Sequence, residues 1–419
     1  MKEDINMDVK NSQGVYFGID ISKKYTLVSY YQLNMEAPET ISTVMGGAVY
    51  QIPTFLAKKR GIGQWFYGNE ARSQVSMNQA VAVDDLFESA VKNEKVYIET
   101  EEYLARDLLL IFFRKLLTMP GYLYTNSPLA KLVICVEHLN MDIVEMFTMI
   151  ANRLELTSSQ ILVIDRRESF YYYVLNQDPN IFLHEVMLYD YSDNNLTHCL
   201  LTQNLNSTPK LIELVEGNDG LLMDNKDVEF DKIIEKTQEG KIISAVYLIG
   251  DGFDGDWMKL SLSRLLSKRR VFSGKNLYSK GACYAGVIRD GKMNWPYLYL
   301  GDHELKLNLS LKVVCKNEMK FYSLIEAGES WYETSGECEI ILDGTPEIEF
   351  WIQKLDSRQA MVEVLELHDM PPRENRTTRL RIQALPISDK EIKLTIKDLG
   401  FGEIVPASNR IWEHHIRIS

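Results

Sequence analysis

Aspartate or glycine residues lie at the ends of three predicted strands, where their groups could contact a phosphate. Asp20 ends an apolar run that begins at Val15, and Asp190 ends a second such run; each is followed by a predicted hairpin. Gly250 and Gly252 follow a third run, ahead of a predicted helix. Carboxylates bind the hydrated Mg²⁺ that accompanies a phosphate, and glycines let a backbone approach a nucleotide. The two aspartates would then face each other across a cleft and hold a metal-bound phosphate.

The alternative is that the same residues have purely structural roles. Asp20 and Asp190 would equally well cap their two strand-to-hairpin turns. The acidic run from Asp251 to Asp256 is similar to a calcium loop, but it lacks the twelve-residue spacing and the closing glutamate of such loops. We therefore expect no calcium site there.

Strand and helix patterns alternate over the first three hundred residues. The predicted strands cover 15–21, 25–31, 50–57, 132–136, 161–165, 185–190, 196–202 and 245–250, and the predicted helices cover 104–117, 141–154, 168–175 and 258–266. Strands separated by helices indicate an α/β fold with buried sheets. We predict one such domain over residues 12–300.

From about Asp302 the helical patterns stop. Period-2 or β-rich segments cover 304–314, 320–325, 337–342, 347–355, 360–367, 378–387 and 391–396, with turn sequences between them. Seven strands without an intervening helix are typical of an all-β sandwich. The sequence therefore predicts a second domain, a β-sandwich over residues 302–419.

The overall charge argues against two classes of partner. Among the 419 residues, Lys and Arg total 46 and Asp and Glu total 59, so the formal net charge is −13. Nucleic acids and anionic membranes favour clustered basic residues. We expect neither as the main partner.

The cysteines and the hydropathy pattern indicate the compartment. The five cysteines are odd in number and have no CxxC spacing, which favours reduced thiols over disulfides. The first fourteen residues contain no apolar segment of a secretory signal, and no apolar run approaches 18 residues. We expect a soluble cytoplasmic protein.

The order of these segments resembles that of the actin-like ATPase superfamily, and specifically the seventy-kilodalton heat-shock chaperones of the DnaK type. The resemblance covers nearly the whole chain. The matching segments are, in order, Phe17-Gly18-Ile19-Asp20-Ile21, 52–55 with 67–71, the strand and helix of 132–154, 186–190, 247–252 and 281–286. The terminal β-sandwich lies where these chaperones carry their peptide-binding β-domain.

This resemblance implies a two-lobed actin-like fold, with ribonuclease-H-like lobes, and a site for ATP or ADP with Mg²⁺ between the lobes. The upper subdomains would be reduced, because the segment between Asp190 and Gly250 is short. The implied metal residues are Asp20 and Asp190. The implied nucleotide-binding residues are Asp20, Ser22, Lys23, Lys24, Asp190, Ser192, Gly250 and Gly252.

Both implied phosphate loops depart from the family pattern. Lys23 and Lys24 stand near the Gly-Thr-Thr of the first loop, and their side chains would crowd the phosphate. The second loop lacks its glycines, which we expect to remove the positive φ angles that an amide cradle needs. Asp193 adds negative charge to that loop, and Asp251 does so in the adenosine turn.

The implied catalytic position also departs. Arg166 aligns with the family's catalytic glutamate, and Glu168 is the only local candidate for a base. The sequence ends soon after the β segments, so we expect no helical lid over a bound peptide. Peptide binding would then be weak and fast to dissociate.

These departures favour a chaperone-like protein with a weakened or lost ATPase. It would act as a protein-binding or scaffold module, and its partner would be a protein or an extended peptide. The alternative is a minimal ATPase that binds Mg-ATP in the interlobe cleft. In that alternative Asp20 and Asp190 hold Mg²⁺ through water, Lys23 or Lys24 contacts the phosphates, and Glu168 serves as the base.

Overall fold

An α/β unit and an all-β unit make up the described part of the chain. The computed structural model describes residues 14–44, 47–119, 127–204, 209–223, 225–267, 269–355 and 359–417. The first unit extends to Asn204 and includes Leu214–Pro296, and the second comprises Leu205–Glu213 and Tyr297–Ser419. The first two residues of the predicted 12–300 domain lie outside the described residues.

The first large sheet of the α/β unit is built around the strand that ends near Asp20. Its strands are β1 (Val15–Ile21), β2 (Tyr25–Tyr31), β3 (Glu39–Thr40), β4 (Ile52–Pro53), β10 (Leu129–Val136) and β11 (Ile161–Asp165). Their order is β11-β10-β1-β2-β3, and β4 also pairs with β2. Strand β1 is antiparallel to β2 and parallel to β10.

The second large sheet repeats this arrangement around the strand that contains Asp190. Its strands are β12 (Glu185–Ser192), β13 (Asn195–Asn204), β14 (Lys210–Gly220), β15 (Ile243–Ile249) and β16 (Arg270–Gly274), in the order β16-β15-β12-β13-β14. Strand β12 is antiparallel to β13 and parallel to β15. The sequence shows no internal repeat, yet the two sheets share one topology.

Two small sheets and eight helices complete this unit as far as it is described. The small sheets consist of β5 (Leu56–Lys59), β6 (Trp65–Tyr67) and β7 (Ala80–Val83), and of β8 (Lys95–Ile98) and β9 (Glu101–Leu104). The helices are α1 (Gly68–Ser76), α2 (Leu86–Val91), α3 (Ala105–Thr118), α4 (Met141–Arg153), α5 (Arg166–Leu175), α6 (Lys226–Gln238), α7 (Leu260–Leu266) and α8 (Leu277–Arg289). None of the described helices is long and apolar enough to span a membrane.

Helices α5 and α8 connect the two large sheets through close backbone contacts. A Cβ atom on Gly18 of β1 would lie 2.0 Å from the carbonyl oxygen of Ser279 in α8. A Cβ atom on Gly281 of α8 would lie 2.1 Å from a backbone oxygen of α5. On the other side of α5, the ring of Phe170 contacts that of Tyr247 in β15. Only glycine permits these two approaches, so both glycines position the sheets.

The second unit contains β17 (Tyr297–Tyr299) and two four-stranded sheets around one core. The first sheet has the order β19 (Glu318–Ile325), β18 (Leu307–Cys315), β21 (Glu347–Lys354), β22 (Met361–Glu366). The second has the order β20 (Gly336–Ile341), β23 (Arg379–Ser388), β24 (Glu391–Asp398), β25 (Ile411–Arg417). Leu309 and Phe350 of one sheet share a buried apolar cluster with Ile382 and Leu394 of the other.

All seven predicted segments of this unit are strands, and sequence analysis missed the eighth, β25. Its centre is Glu413-His414-His415, which lacks the apolar alternation that marks a strand. Another difference lies in β14, whose first residues, to Glu213, group with the second unit. Those residues pair in parallel with β17. A local pattern carries no information about such a distant strand partner.

A buried ion pair fixes the loop that follows β24. Arg373 donates to both carboxylate oxygens of Asp398, at 2.8 and 2.7 Å, and both side chains are buried. The backbone amides of Gly400 and Ser408 donate to the same carboxylate. Burial opposes the charged form of Asp398, but these hydrogen bonds outweigh it and hold its pKa below the usual range.

We predict that Asp398→Asn lowers the free energy of unfolding of the second unit by about 3–5 kcal/mol at pH 7, because Arg373 keeps a buried charge without its partner. The stabilisation by Asp398 is complete above the unfolded pKa of ~3.9 and is lost as the pH falls through the lower folded pKa. Denaturant unfolding at several pH values should show the difference between variant and parent shrinking below about pH 4.

The matched control is Asp369→Asn, which removes an exposed partner of Arg410. This change should cost less than about 1 kcal/mol. Equal losses in the two variants would contradict the role assigned to Asp398.

Candidate functional site

The ends of β1, β12 and β15 line one open cleft within the first unit. Six of the residues implied for nucleotide binding line it: Asp20, Ser22, Lys24, Asp190, Ser192 and Gly250. The lining also includes Gln51, Arg166, Lys275 and Tyr278. The structure therefore brings together strand ends that are distant in the sequence.

The side chain of Arg166 occupies the floor of this cleft and bonds to Asp20. Its Nε and Nη2 atoms donate to the two carboxylate oxygens of Asp20, at 3.1 and 3.4 Å. Arg166 is the first residue of α5, and the side chain of Asp165 caps that helix by accepting from the backbone amide of Glu168 at 2.7 Å. This cap starts the helix at a position that directs Arg166 towards β1.

Asp190 is held by hydroxyl groups on the other side of the cleft. Tyr278 in α8 donates its hydroxyl to Oδ2 of Asp190 at 2.9 Å, and Ser192 donates to Oδ1. The guanidinium carbon of Arg166 lies 4.9 Å from the centre of the Tyr278 ring, a cation–π distance. Arg166 and Tyr278 thus form a connected bridge from Asp20 to Asp190.

Charge and burial give this bridge its electrostatic character. Burial raises the pKa of both Asp20 and Asp190, and the Arg166 cation opposes that rise. Burial also disfavours the charge on Arg166, but the two carboxylates outweigh it and raise its pKa. One buried cation, Arg166, therefore lies near two buried carboxylates. Its positive charge favours the ionised form of both Asp20 and Asp190.

The arrangement does not fit the Mg²⁺ ion that the resemblance implies. All four carboxylate oxygens of Asp20 and Asp190 accept hydrogen bonds from the chain's own donors. A hydrated Mg²⁺ ion at Asp20 would stand beside the Arg166 guanidinium, and two cations at one carboxylate repel each other. Within the described residues, no group of three or more His, Cys, Asp or Glu side chains is placed to hold a metal.

The two lysines of the first loop have different positions. Lys24 lines the cleft and forms an ion pair with Asp193 in the β12–β13 turn. Lys23 lies outside the cleft lining, and its Nζ contacts Asp85 and Glu88 at 3.1 and 3.3 Å. Asp193 is therefore paired, although sequence analysis treated it only as a negative charge beside the phosphate position.

The expectation that the second loop loses positive φ angles is wrong. Asp193 and Asn194 adopt φ values of 53° and 61°. Asp and Asn are the residues other than glycine that most often accept this left-handed conformation, and two in succession are typical of a tight hairpin turn. The loop keeps the backbone shape without glycine, and the two side chains then take space that a glycine loop leaves open.

Gly250 and Gly252 are required by packing against β12. A Cβ atom on Gly250, whose φ is 102°, would lie 2.4 Å from the carbonyl oxygen of Tyr191. On Gly252 it would lie 2.3 Å from the Tyr191 ring, and Gly252 is outside the cleft lining. Both glycines let the turn after β15 lie against Tyr191, so the structure provides a reason for them that involves no nucleotide.

Glu168 lies away from the cleft. Its carboxylate accepts from Arg289 of α8 at 2.9 Å and is buried, and burial raises its pKa despite that cation. Glu168 is not among the residues that line the cleft. The sequence-based candidate for a base is instead one half of an ion pair between α5 and α8.

Tyr278 is the site residue that sequence analysis missed. The last segment that matched the chaperone order before the β-sandwich, 281–286, began at Gly281, whereas α8 begins at Leu277. Extending that pattern by one helical turn places Tyr278 three residues before Gly281, on the same face. This spacing was the available signal, although it does not identify Asp190 as the partner.

Comparison with known families yields two matches, both without a known function. Residues 37–302 match the C-terminal region of a family of unknown function, DUF5716. Residues 304–418 match a domain of unknown function, DUF8552. The first match covers more than half of the chain, so the protein belongs to the DUF5716 C-terminal family. No curated protein matches the chain.

We predict that Arg166→Gln lowers the free energy of unfolding of the first unit by about 3–5 kcal/mol at pH 7, because it leaves two buried carboxylates without their cation. Their folded pKa values, already raised, rise further above the unfolded ones. The loss should therefore be largest near neutral pH and shrink as the pH falls and the two groups bind protons. Thermal unfolding across pH 4–8 would measure this dependence.

A second substitution separates charge from packing. Adding Asp20→Asn to Arg166→Gln removes one of the two carboxylates and should recover at least half of the lost stability. Lys23→Gln, which removes an exposed cation from the neighbouring loop, should leave stability almost unchanged. A loss that is independent of pH and is not reduced by Asp20→Asn would contradict the charge balance.

Proposed function

We propose that this member of the DUF5716 family is a chaperone-like protein with a weakened or lost ATPase, which acts as a protein-binding or scaffold module. The observation that carries the proposal is the engagement of all four carboxylate oxygens of Asp20 and Asp190 by Arg166, Ser192 and Tyr278. In an ATPase of the proposed ancestry these carboxylates would serve Mg²⁺. Here a guanidinium supplies the positive charge permanently.

The shared topology of the two large sheets supports the proposed ancestry. Each sheet has one antiparallel hairpin followed by two parallel strands, and α5 and α8 connect the sheets. Such duplicated sheets are what a two-lobed actin-like fold with ribonuclease-H-like lobes requires. The described residues between β13 and β15 form β14 and α6, and the whole interval spans only 38 residues, which is consistent with reduced upper subdomains.

The second unit supports the binding part of the proposal. Two four-stranded sheets leave four edge strands, β19, β22, β20 and β25. Strand β19 is exposed over its first six residues, and an exposed edge is a site where an extended peptide can add a strand. We propose a protein or an extended peptide as the partner and the cytoplasm as the location.

One observation favours the alternative, a minimal Mg-ATPase. Ser22, Lys24 and Gly250 line the same cleft as the two aspartates, as a phosphate site would require. Their side chains and backbone already have other contacts: Lys24 pairs with Asp193, and Gly250 packs against Tyr191. We therefore rank the alternative second.

For nucleotide binding, we predict that Mg-ATP and Mg-ADP bind the full chain more weakly than about 1 μM, or not at all. The reason is that Arg166 occupies the metal-facing oxygens of Asp20 and would have to be displaced. Isothermal titration calorimetry of the purified protein measures this affinity. Sub-micromolar binding of either nucleotide would make the ATPase alternative the leading one.

For hydrolysis, we predict no steady release of phosphate from ATP above a matched blank. Arg166 cannot orient an attacking water as a carboxylate does, and Glu168 is held by Arg289 outside the cleft. A coupled phosphate assay on the parent and on Glu168→Gln tests this. Turnover that the parent shows and a folded Glu168→Gln variant lacks would overturn the assignment.

A further inference from the structure

The two outer faces of the β-sandwich differ in chemistry. Cross-strand charge pairs cover the outer face of the sheet β20-β23-β24-β25. These pairs join Arg381 to Glu339 at 2.8 Å, Lys393 to Glu413 at 2.7 Å and Arg417 to Glu391 at 3.0 Å. The charged side chains of this face pair with one another, and such a face is suited to contact with water.

The outer face of the sheet β19-β18-β21-β22 carries exposed apolar side chains by contrast. Its six outward apolar residues, which we call the apolar face, are Val314, Met319, Phe321, Trp351, Val362 and Val364. Polar side chains, including Ser310, Lys312 and Glu349, point outward beside them. Strand register places Met319 opposite Val314, and Val362 opposite Trp351, so these side chains form neighbouring cross-strand pairs. Phe321 is 61% exposed, and Val364 is 49% exposed. Exposed apolar side chains grouped in this way mark an interaction site.

Trp351 lies at the centre of the apolar face. Its neighbours in β21, Phe350 and Ile352, point into the core, so Trp351 points outward. The Phe321 ring contacts it edge-on at 5.2 Å, and the Lys312 ammonium lies 5.6 Å from its ring centre. Its Nε1–H is shielded from solvent and has no acceptor among the described residues. A buried donor without an acceptor carries a free-energy cost.

Acidic side chains dominate the charge on this face. By strand alternation Glu347, Glu349 and Glu366 point to the same side as Trp351 and Val364. Among the ion pairs of the described residues, Glu347 and Glu349 have no basic partner, and Glu366 has only His368 at 3.8 Å. Lys312 is the outward cation in β18, and its ammonium is placed over Trp351. The face therefore joins an apolar surface to uncompensated negative charge.

We propose that the apolar face binds an amphipathic helix of another protein, with apolar residues on one side and Lys or Arg along its flank. The backbone groups of β18 and β21 are already paired within the sheet, so recognition here must come from side chains. A helix satisfies its own backbone and presents an apolar stripe, whereas an extended peptide would leave its backbone unpaired on this surface. This inference rests on the proposed protein-binding function.

A second copy of the chain fits this face less well. Two copies joined through the apolar face would place six carboxylates at one interface, those of Glu347, Glu349 and Glu366 of each copy. Like charges at an interface oppose association, and the chain as a whole has a net charge of −13. Basic residues on a different partner would instead neutralise these carboxylates.

The test uses the full chain without nucleotide and two labelled probe peptides of about 18 residues, long enough to form a helix on a surface. One peptide has Leu and Lys at amphipathic spacing, and the other has Leu and Glu. Val364→Asp alters the apolar face in the edge strand β22. Ile411→Asp is the matched control, since Ile411 is 56% exposed in the edge strand β25 on the charged outer face. Fluorescence anisotropy measures each affinity.

The Leu/Lys peptide should bind the parent better than the Leu/Glu peptide does. Val364→Asp should weaken that binding about tenfold or more, while Ile411→Asp changes it less than about twofold. Glu349→Lys should reverse the preference between the two peptides. Phe321→Gln, at the opposite edge of the same face, provides a second test if Val364→Asp fails to fold by circular dichroism.

Equal effects of Val364→Asp and Ile411→Asp would overturn the proposal, as would equal binding of the two peptides or no binding of either. A dimer in sedimentation equilibrium that Val364→Asp dissociates would also overturn it, because the face would then belong to a second copy. Tight Mg-ATP binding would make the ATPase alternative the leading one without affecting these outcomes. Failure of the peptide test would leave the argument about the cleft intact.

Discussion

The cleft depends on one interaction, the placement of the Arg166 guanidinium between two buried carboxylates. It bonds to Asp20 directly and stacks on Tyr278, whose hydroxyl holds Asp190. Two carboxylates buried side by side are unstable without a nearby cation, because burial penalises each charge and the two repel. A nucleotide with its metal would supply that cation transiently, whereas a side chain supplies it always. The ends of β1 and β12 can therefore remain close without a ligand.

Close helix packing makes this bridge possible. Gly18 and Gly281 remove the side chains that would separate β1 from α8 and α8 from α5, and Glu168 with Arg289 adds a buried ion pair between the same two helices. Because α5 and α8 are held in this way, Arg166 and Tyr278 project into the cleft from fixed positions. Glu168 was the sequence-based candidate for a base, whereas in the structure it bonds to Arg289 between these two helices.

The two faces of the β-sandwich show how one fold separates stability from recognition. Inward apolar side chains of both sheets share one buried core. The ion pair of Arg373 with Asp398 fixes the loop that follows β24. The outer faces then diverge, since cross-strand charge pairs cover one while Trp351 and its neighbours remain exposed on the other. The alternation of apolar and polar residues in the sequence predicts which side chains of a strand point away from the core. It does not predict which strands become neighbours, so it does not distinguish the two outer faces.

Local patterns were sufficient for most strands of the two large sheets, for seven strands of the β-sandwich, for the change of pattern near Asp302 and for six residues that line the cleft, because hydrophobic period and strand-end chemistry are encoded within short segments. They did not reveal the short strands β3 and β6 to β9, the strands β14, β16, β17 and β25, the pairing of β14 with β17 or the role of Tyr278. Charge partners were also undetermined: Arg166 with Asp20 joins residues 146 apart, and Glu168 with Arg289 joins residues 121 apart. Only the packed structure decides which buried charges meet, because their pairing depends on distances that no local pattern contains.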